Sequence, residues 1–280
     1  MSFLYLNGKI VSDDEAKISV HDRSYLYGEG LFESFRSYNG IALFLTEHLK
    51  RLEWSATFLN VSFPMELDFA KICDDLLKKN NLKDARFKIV LSQATPPAAD
   101  AIGENTSSNI VIFCTPLETG PATYKLKVIK NCINDALPLS AMKTTNYLVK
   151  IVARFEAKDS GFDDGILLNA KGLVTEASTG NLFWVDDKGI LNTVAEAHGL
   201  LRGITKQELF KLIKDKKLTL RENQITPAEL SNSREVFMTN SIVGIKPVTQ
   251  IDSRQISGGE PGAVTLMLKD LWEKKLKEMS

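Results

Sequence analysis

Apolar and polar residues recur along this chain with two periods, and the periods divide it into strands and helices. Phe3–Leu6 and residues 9–11 flank Asn7-Gly8, a pair that accepts positive φ at both central turn positions and so predicts a tight hairpin. Residues 41–45 read as another strand. Thr46 then offers an N-cap, with Glu47 favourably placed near the positive end of the helix. Leu45, Leu49, Leu52, Ala56 and Leu59 follow at spacings of four and three, which is one buried stripe of that helix. A second helix is predicted over 66–79, ending at Asn80-Asn81. Residues 86–91 and 109–114 read as strands around a polar loop that contains Pro96-Pro97.

Residues 115–124 hold two prolines and a glycine between two strand-like segments, so the domain boundary is expected there. The organisation expected is a small α+β domain over 1–117, a linker over 118–125, and a larger domain over 126–280. Beyond the linker, 125–130 is a strand and 146–160 a helix closed by Gly161. Short strands at 165–169, 173–176, 182–185 and 190–193 are joined through Gly172, Gly180 and Gly189, a meander rather than a βαβ series. A helix from Thr205 to about Lys214 follows. Thr226-Pro227-Ala228-Glu229 then combines a capping box with proline at the first helical position. A strand at 235–239 and a closing helix at 263–279 complete the pattern. Both halves mix strands and helices without strict alternation, which favours α+β layers over a doubly wound sheet.

Composition changes this picture little. Apolar residues make up 44% of the chain and charged residues 25%, and 35 basic residues balance 35 acidic ones, so nothing points to a nucleic-acid surface. Cys73, Cys114 and Cys132 lie far apart, cannot all pair, and have no metal-ligand spacing. Asn7-Gly8 comes too soon after Met1 for a signal peptide, and no apolar run reaches membrane-spanning length, so a cytoplasmic protein is expected.

The candidate chemistry centres on residues 142–183. Lys143 precedes Asn146-Tyr147-Leu148, and Glu176 precedes Gly180-Asn181-Leu182-Phe183. A lysine able to lose its proton can form a Schiff base with pyridoxal phosphate (PLP), and an acid opposite the pyridine nitrogen keeps that nitrogen protonated. A phosphate needs its own site. Arg202-Gly203-Ile204-Thr205 opens a helix whose free N–H groups suit an anion, although Thr205 and Glu208 equally read as a capping box. Thr239-Asn240-Ser241-Ile242 offers further donors at a strand exit, and Arg51 lies beside the apolar stripe of the first helix, facing either a phosphate or water. Arg86 and Lys88, two apart on a strand, share a face that either meets a carboxylate or wards off strand-edge association.

These blocks together resemble the fold-type IV PLP enzymes: branched-chain aminotransferases, D-amino acid aminotransferases and aminodeoxychorismate lyases. The resemblance spans nearly the whole chain. It is carried by Tyr27-Gly28-Glu29-Gly30-Leu31-Phe32-Glu33, Glu47-His48-Leu49-Lys50-Arg51-Leu52, Lys143-Thr144-Thr145-Asn146-Tyr147-Leu148, Thr175-Glu176 running to Asn181-Leu182-Phe183, Gly203-Ile204-Thr205, and Phe237-Met238-Thr239-Asn240-Ser241. It implies a two-domain α+β fold, with a smaller N-terminal α/β sandwich and a larger C-terminal domain built on a mixed or antiparallel sheet or pseudo-barrel.

It also implies roles. Lys143 is similar to the lysine that holds PLP and moves the α-proton, and Glu176 to the acid on the pyridine nitrogen. Arg51, Ile204, Thr205, Ser241 and Ile242 resemble phosphate contacts, and Tyr147 a contact to the ring oxygen. Tyr27, Phe32, Arg36, Arg86 and Lys88 are implied on the substrate side. The expected reaction is amino transfer between an amino acid and a 2-oxo acid. The alternatives are lyase chemistry on aminodeoxychorismate and, as a minor one, PLP binding without efficient catalysis. The Lys143-x-x-Asn146 spacing looks more like the D-amino acid and lyase branches. Ser92-Gln93-Ala94 stands where many relatives have Ser-Arg-Gly, which counts against the carboxylate grip of the D-amino acid branch. A homodimer without metal, nucleic acid or membrane partners is the assembly the resemblance implies.

Overall fold

In the computed structural model, which describes residues 2–94, 108–118, 120–133 (131–133 by backbone alone) and 138–279, the chain divides into two units. The first contains Met1–Glu118 with Met142–Asn146, and the second contains Thr119–Ala141 with Tyr147–Glu278. Pro96-Pro97 and Thr119 of the expected linker lie outside the described residues.

The first unit runs β1 (Phe3–Leu6), β2 (Lys9–Ser12), α1 (Arg23–Tyr27), β3 (Gly30–Tyr38), β4 (Ile41–Ala42), α2 (Leu45–Phe58), α3 (Phe69–Lys79), β5 (Ala85–Gln93) and β6 (Ser108–Pro116). Its strands form one antiparallel sheet in the order β2-β1-β6-β5-β3-β4. Asn7 (φ 44°) and Gly8 (φ 96°) form the hairpin turn that the sequence predicts. One sheet face, with Leu31, Phe35, Phe87, Ile89 and Leu91, packs into a core with Leu52 and Ala56 of α2 and Cys73 and Leu76 of α3. Two expectations shift here. The strand expected over 41–45 is only Ile41–Ala42, and α2 starts at Leu45 behind Phe44, not behind a Thr46 cap. Phe44 is buried with a left-handed φ of 52°, so packing of its side chain sets the helix entry that a hydroxyl cap was expected to set.

The second unit runs β7 (Tyr124–Ile133), α4 (Leu148–Asp159), β8 (Asp164–Asn169), β9 (Val174–Ala177), β10 (Asn181–Val185), β11 (Leu191–Thr193), α5 (Ile204–Asp215), β12 (Leu220–Glu222), α6 (Pro227–Ser231), β13 (Glu235–Asn240), β14 (Gly244–Ile251), β15 (Arg254–Gln255) and α7 (Ala263–Glu278). The sheet order is β12-β11-β10-β13-β14-β7-β8-β9, with β15 paired to β14. This sheet is mixed. β7 is parallel to both β8 and β14, β11 is parallel to β12, and the remaining ladders are antiparallel. Within 165–193 the expected meander forms as the antiparallel pairs β8-β9 and β10-β11, and the parallel crossovers β7-α4-β8 and β11-α5-β12, which were not expected, flank it. Thr226 and Glu229 form the expected capping box at α6.

Met142–Asn146 return to the first unit, although the expected boundaries put them in the C-terminal domain. The cause is backbone pairing: Phe32 N–H donates to the Lys143 carbonyl (2.8 Å), and Thr145 N–H donates to the Gly30 carbonyl (2.9 Å). Lys143 thus rides on the edge of β3. No helix among the described residues is long and apolar enough to cross a membrane.

Candidate active site

In the first unit, β3 and β5 sort their side chains onto two faces. Opposed pairs Phe32–Val90, Ser34–Lys88 and Arg36–Arg86 lie on one face; Leu31, Glu33 and Phe35 lie on the other. Lys143 Nζ sits 4.3 Å from the Phe32 ring centroid, and Lys88 Nζ sits 4.9 Å from it. Two lysine amines therefore lie close to one aromatic ring, a contact worth about 0.5–2 kcal/mol for an amine that carries its charge. Burial lowers the Lys88 pKa, and neighbouring Arg86 lowers it further. Arg86 is exposed, Arg36 Nε donates to the Ser37 carbonyl (3.1 Å), and Tyr27 is 59% exposed with its ring beneath Arg23.

Arg51 has a partner the sequence reading did not foresee. Its Nε donates to Glu33 Oε1 (2.7 Å) and its Nη2 to Glu33 Oε2 (2.6 Å), with His48 Nδ1 also 2.6 Å from Oε2. Glu33 and His48 are wholly buried. Burial opposes ionisation of Glu33, but Arg51 and His48 outweigh it and hold the carboxyl down at about 2. The His48 imidazole is pushed below its ordinary value by burial first, and by Arg51 and Lys143 besides, against the pull of Glu33. His48 Nε2 has no hydrogen-bond partner among the described residues. The signals for this cluster were an acid on an otherwise apolar strand face and a His-x-x-Arg spacing on one helix side.

In the second unit, Glu176 on β9 is buried, with 3% side-chain exposure. Its Oε1 accepts from Lys150 Nζ at 2.7 Å, while among the described residues Oε2 accepts longer bonds from Leu201 N–H (3.3 Å) and Asn181 Nδ2 (3.4 Å). Asn181 also donates to the Leu201 carbonyl (3.0 Å). Gly203 lies so close to Asn181 that a Cβ there would come within 1.9 Å of Oδ1, so only glycine lets this segment pass. The chain from Leu201 then enters α5 at Ile204. Gly203 is the N-cap, without a side-chain cap among the described residues, and Glu208 instead binds Lys211 and Lys275. The capping-box reading of Thr205 and Glu208 therefore fails. Thr205 Oγ1 stands 3.4 Å from Ser241 Oγ, bringing the two expected phosphate loops together. Ile242 N–H is taken by Asn240 Oδ1 (3.0 Å), and buried Thr239 Oγ1 has no partner among the described residues. Tyr147 donates from its hydroxyl to the Ser178 carbonyl (3.0 Å), and burial raises its pKa. Lys150 and Asn181 were not foreseen as part of this site.

A buried acid suits a cationic ring nitrogen, and the start of α5, with the Thr205 hydroxyl beside that of Ser241 from the β13–β14 turn, suits an anion; residues 201–205 link the two. The comparisons agree with that chemistry. The family model described as "Amino-transferase class IV" matches residues 30–251. A relative from Methanocaldococcus jannaschii named "Putative branched-chain-amino-acid aminotransferase" is 33% identical over 273 residues, covering 95% of this chain and 94% of its own. The aminodeoxychorismate lyase of Bacillus subtilis is 28% identical, covering 99% of this chain and 95% of its own. The crystal structure of the Escherichia coli branched-chain amino acid aminotransferase superposes with a TM-score of 0.90 at 27% identity, covering 98% of this chain and 94% of that one. The chain belongs to the class IV aminotransferases, PLP-dependent enzymes that exchange an amino group between an amino acid and a 2-oxo acid.

Proposed function

We propose that this aminotransferase holds PLP through Lys143 and Glu176 and acts on branched-chain amino acids and their 2-oxo acids. The observation that carries the cofactor reading is the second unit's pairing of a buried, partly satisfied Glu176 with the start of α5, where the Thr205 hydroxyl stands 3.4 Å from that of Ser241 in the β13–β14 turn. When bound, PLP supplies an electrophilic carbon and an electron-withdrawing ring on which the amino group is exchanged.

The rest is the work of the chain's own residues. Lys143 Nζ holds the cofactor and, when free, carries the proton to and from the substrate α-carbon. Glu176 holds a proton at the ring nitrogen. Ile204 and Thr205, through the first turn of α5, and Ser241, through its hydroxyl, bind the phosphate. Ile242 contributes by closing the 240–243 turn, its N–H being held by Asn240. Arg51, fixed by Glu33, supplies positive charge, and Tyr147 orients the ring oxygen side. On the substrate face, Phe32 and Tyr27 offer apolar surface for a branched side chain. Lys88 attracts the carboxylate at short range, and Arg36 and Arg86 attract it at longer range. Names of relatives such as the M. jannaschii and E. coli proteins support the branched-chain assignment. Lyase activity is the second reading, favoured by the Lys143-x-x-Asn146 spacing and the B. subtilis relative. The exposed apolar side of α4, with Leu148 (70%), Ile151 (55%) and Phe155 (72%), supports a homodimer, which light scattering checks by mass.

A donor panel tests the assignment. PLP-loaded protein is mixed with leucine, valine, isoleucine, D-alanine or aminodeoxychorismate, and the released acid is identified. Branched 2-oxo acids with reversible loss of the cofactor's visible band are expected. Pyruvate released from aminodeoxychorismate with the band intact would instead make the protein a lyase.

A further inference from the structure

Glu176 already has a strong partner. Lys150 reaches it from α4 with its Nζ at 2.7 Å from Oε1, and the lysine side chain is only 18% exposed. Its ammonium also lies 5.5 Å from the Tyr147 ring centroid, so the charge is enclosed between a carboxylate and an aromatic face. A buried lysine with ordinary surroundings would lose its proton. Burial does pull this one down, but Glu176 and then Tyr147 outweigh it, so its pKa ends above the ordinary value. The remaining Glu176 contacts, at 3.3 and 3.4 Å, come from neutral amide donors and are too long to balance a full negative charge.

We propose that Lys150 is the resident counter-ion of Glu176, a positioning residue that holds the carboxylate in place and competes with a cationic ring nitrogen for it. The proposal rests on the reading of Glu176 as the acid at the pyridine nitrogen. Two cations sharing one carboxylate repel each other, so Lys150 weakens the hold of Glu176 on a protonated ring. This aminotransferase thus carries a built-in restraint on its own electron sink. Lys150 is also a second amine close to that acid, which makes the choice of lysine by the cofactor a property of position rather than of residue type.

The experiment compares equilibrium binding of PLP with that of its 1-deaza analogue, in which carbon replaces the ring nitrogen, to apoprotein by fluorescence quenching. The ratio of the two dissociation constants reports the ring-nitrogen contact alone and needs no turnover. Lys150→Met should raise the preference for PLP over the analogue on the order of tenfold, while Lys150→Arg leaves it as in the parent. Lys150→Gln serves as a second neutral variant if Lys150→Met does not fold. Glu176→Gln should collapse the preference toward one. An unchanged or smaller preference in the neutral Lys150 variants, with the Glu176→Gln collapse intact, would overturn the role of Lys150 alone. A preference indifferent to Glu176→Gln would instead remove the reading of Glu176 and this inference with it.

Discussion

Glu33 in the first unit and Glu176 in the second are both buried, and the two are satisfied differently. Glu33 in the first unit receives three contacts at 2.6–2.7 Å, from two Arg51 nitrogens and His48. Glu176 in the second receives one such contact, from Lys150, and two amide bonds beyond 3.2 Å. A buried carboxylate with its lone pairs filled by a forked guanidinium holds structure together and has little left to offer a ligand. One with an oxygen held only by long amide bonds can take another donor. On this contrast Glu33 holds the fold and places Arg51, while Glu176 keeps the room for a further donor that its proposed role requires.

Breaking the saturated cluster should have the largest effect. Glu33→Ala leaves Arg51 buried without its counter-charge and should cost about 3–5 kcal/mol, read from urea unfolding; a loss below about 1 kcal/mol would contradict the role given to Glu33. Acid should act on the same group. The Glu33 carboxyl, held at about 2 in the folded chain, has a lowered pKa, so its contribution is fully present above the unfolded value near 4.5. That contribution, on the order of 3 kcal/mol, is lost as pH falls from there toward 2. Unfolding free energy measured across pH 5 to 2.5 should fall in the parent and be flatter in Glu33→Gln.

Glu176→Gln strands Lys150, which unlike Arg51 can lose its proton, so it should cost less stability than Glu33→Ala while lowering kcat by about a hundredfold with most of the bound PLP retained; near-normal turnover would sink its assignment. The smallest effect is expected from Thr205→Val, about tenfold weaker PLP binding by equilibrium dialysis with unchanged unfolding, since one hydroxyl to a charged group is removed. Unaltered binding there would take Thr205 out of the phosphate site.

Much of this was legible in the chain, and the gaps have physical causes. The Asn7-Gly8 hairpin and the Thr226–Glu229 capping box were readable because local backbone chemistry decides them. β3 was not read as a strand. Leu31 and Phe32 are adjacent apolar residues on opposite faces and Glu33 sits on the core side, so strict alternation is lost. The parallel crossovers went unread because pairing direction depends on distant partners, not on period. At the candidate site, Lys143, Glu176, Thr205 and Ser241 stood out through sequence blocks. Lys150 did not, since on a helix sequence it reads as a solvated charge, and only the fold brings its Nζ to Glu176. Arg51 was visible, but its fork on Glu33 required knowing that α2 packs against the buried face of β3.

Lys143, on the edge of β3 beside Phe32, is the lysine proposed to hold the cofactor, and Lys150 beside Glu176 is the alternative amine. The most direct measurement is borohydride reduction of the PLP-loaded protein followed by peptide mapping of the phosphopyridoxyl group. The group is expected on Lys143, with labelling lost in Lys143→Ala and retained in Lys150→Met. A label on Lys150, or one that persists without Lys143, would contradict that assignment.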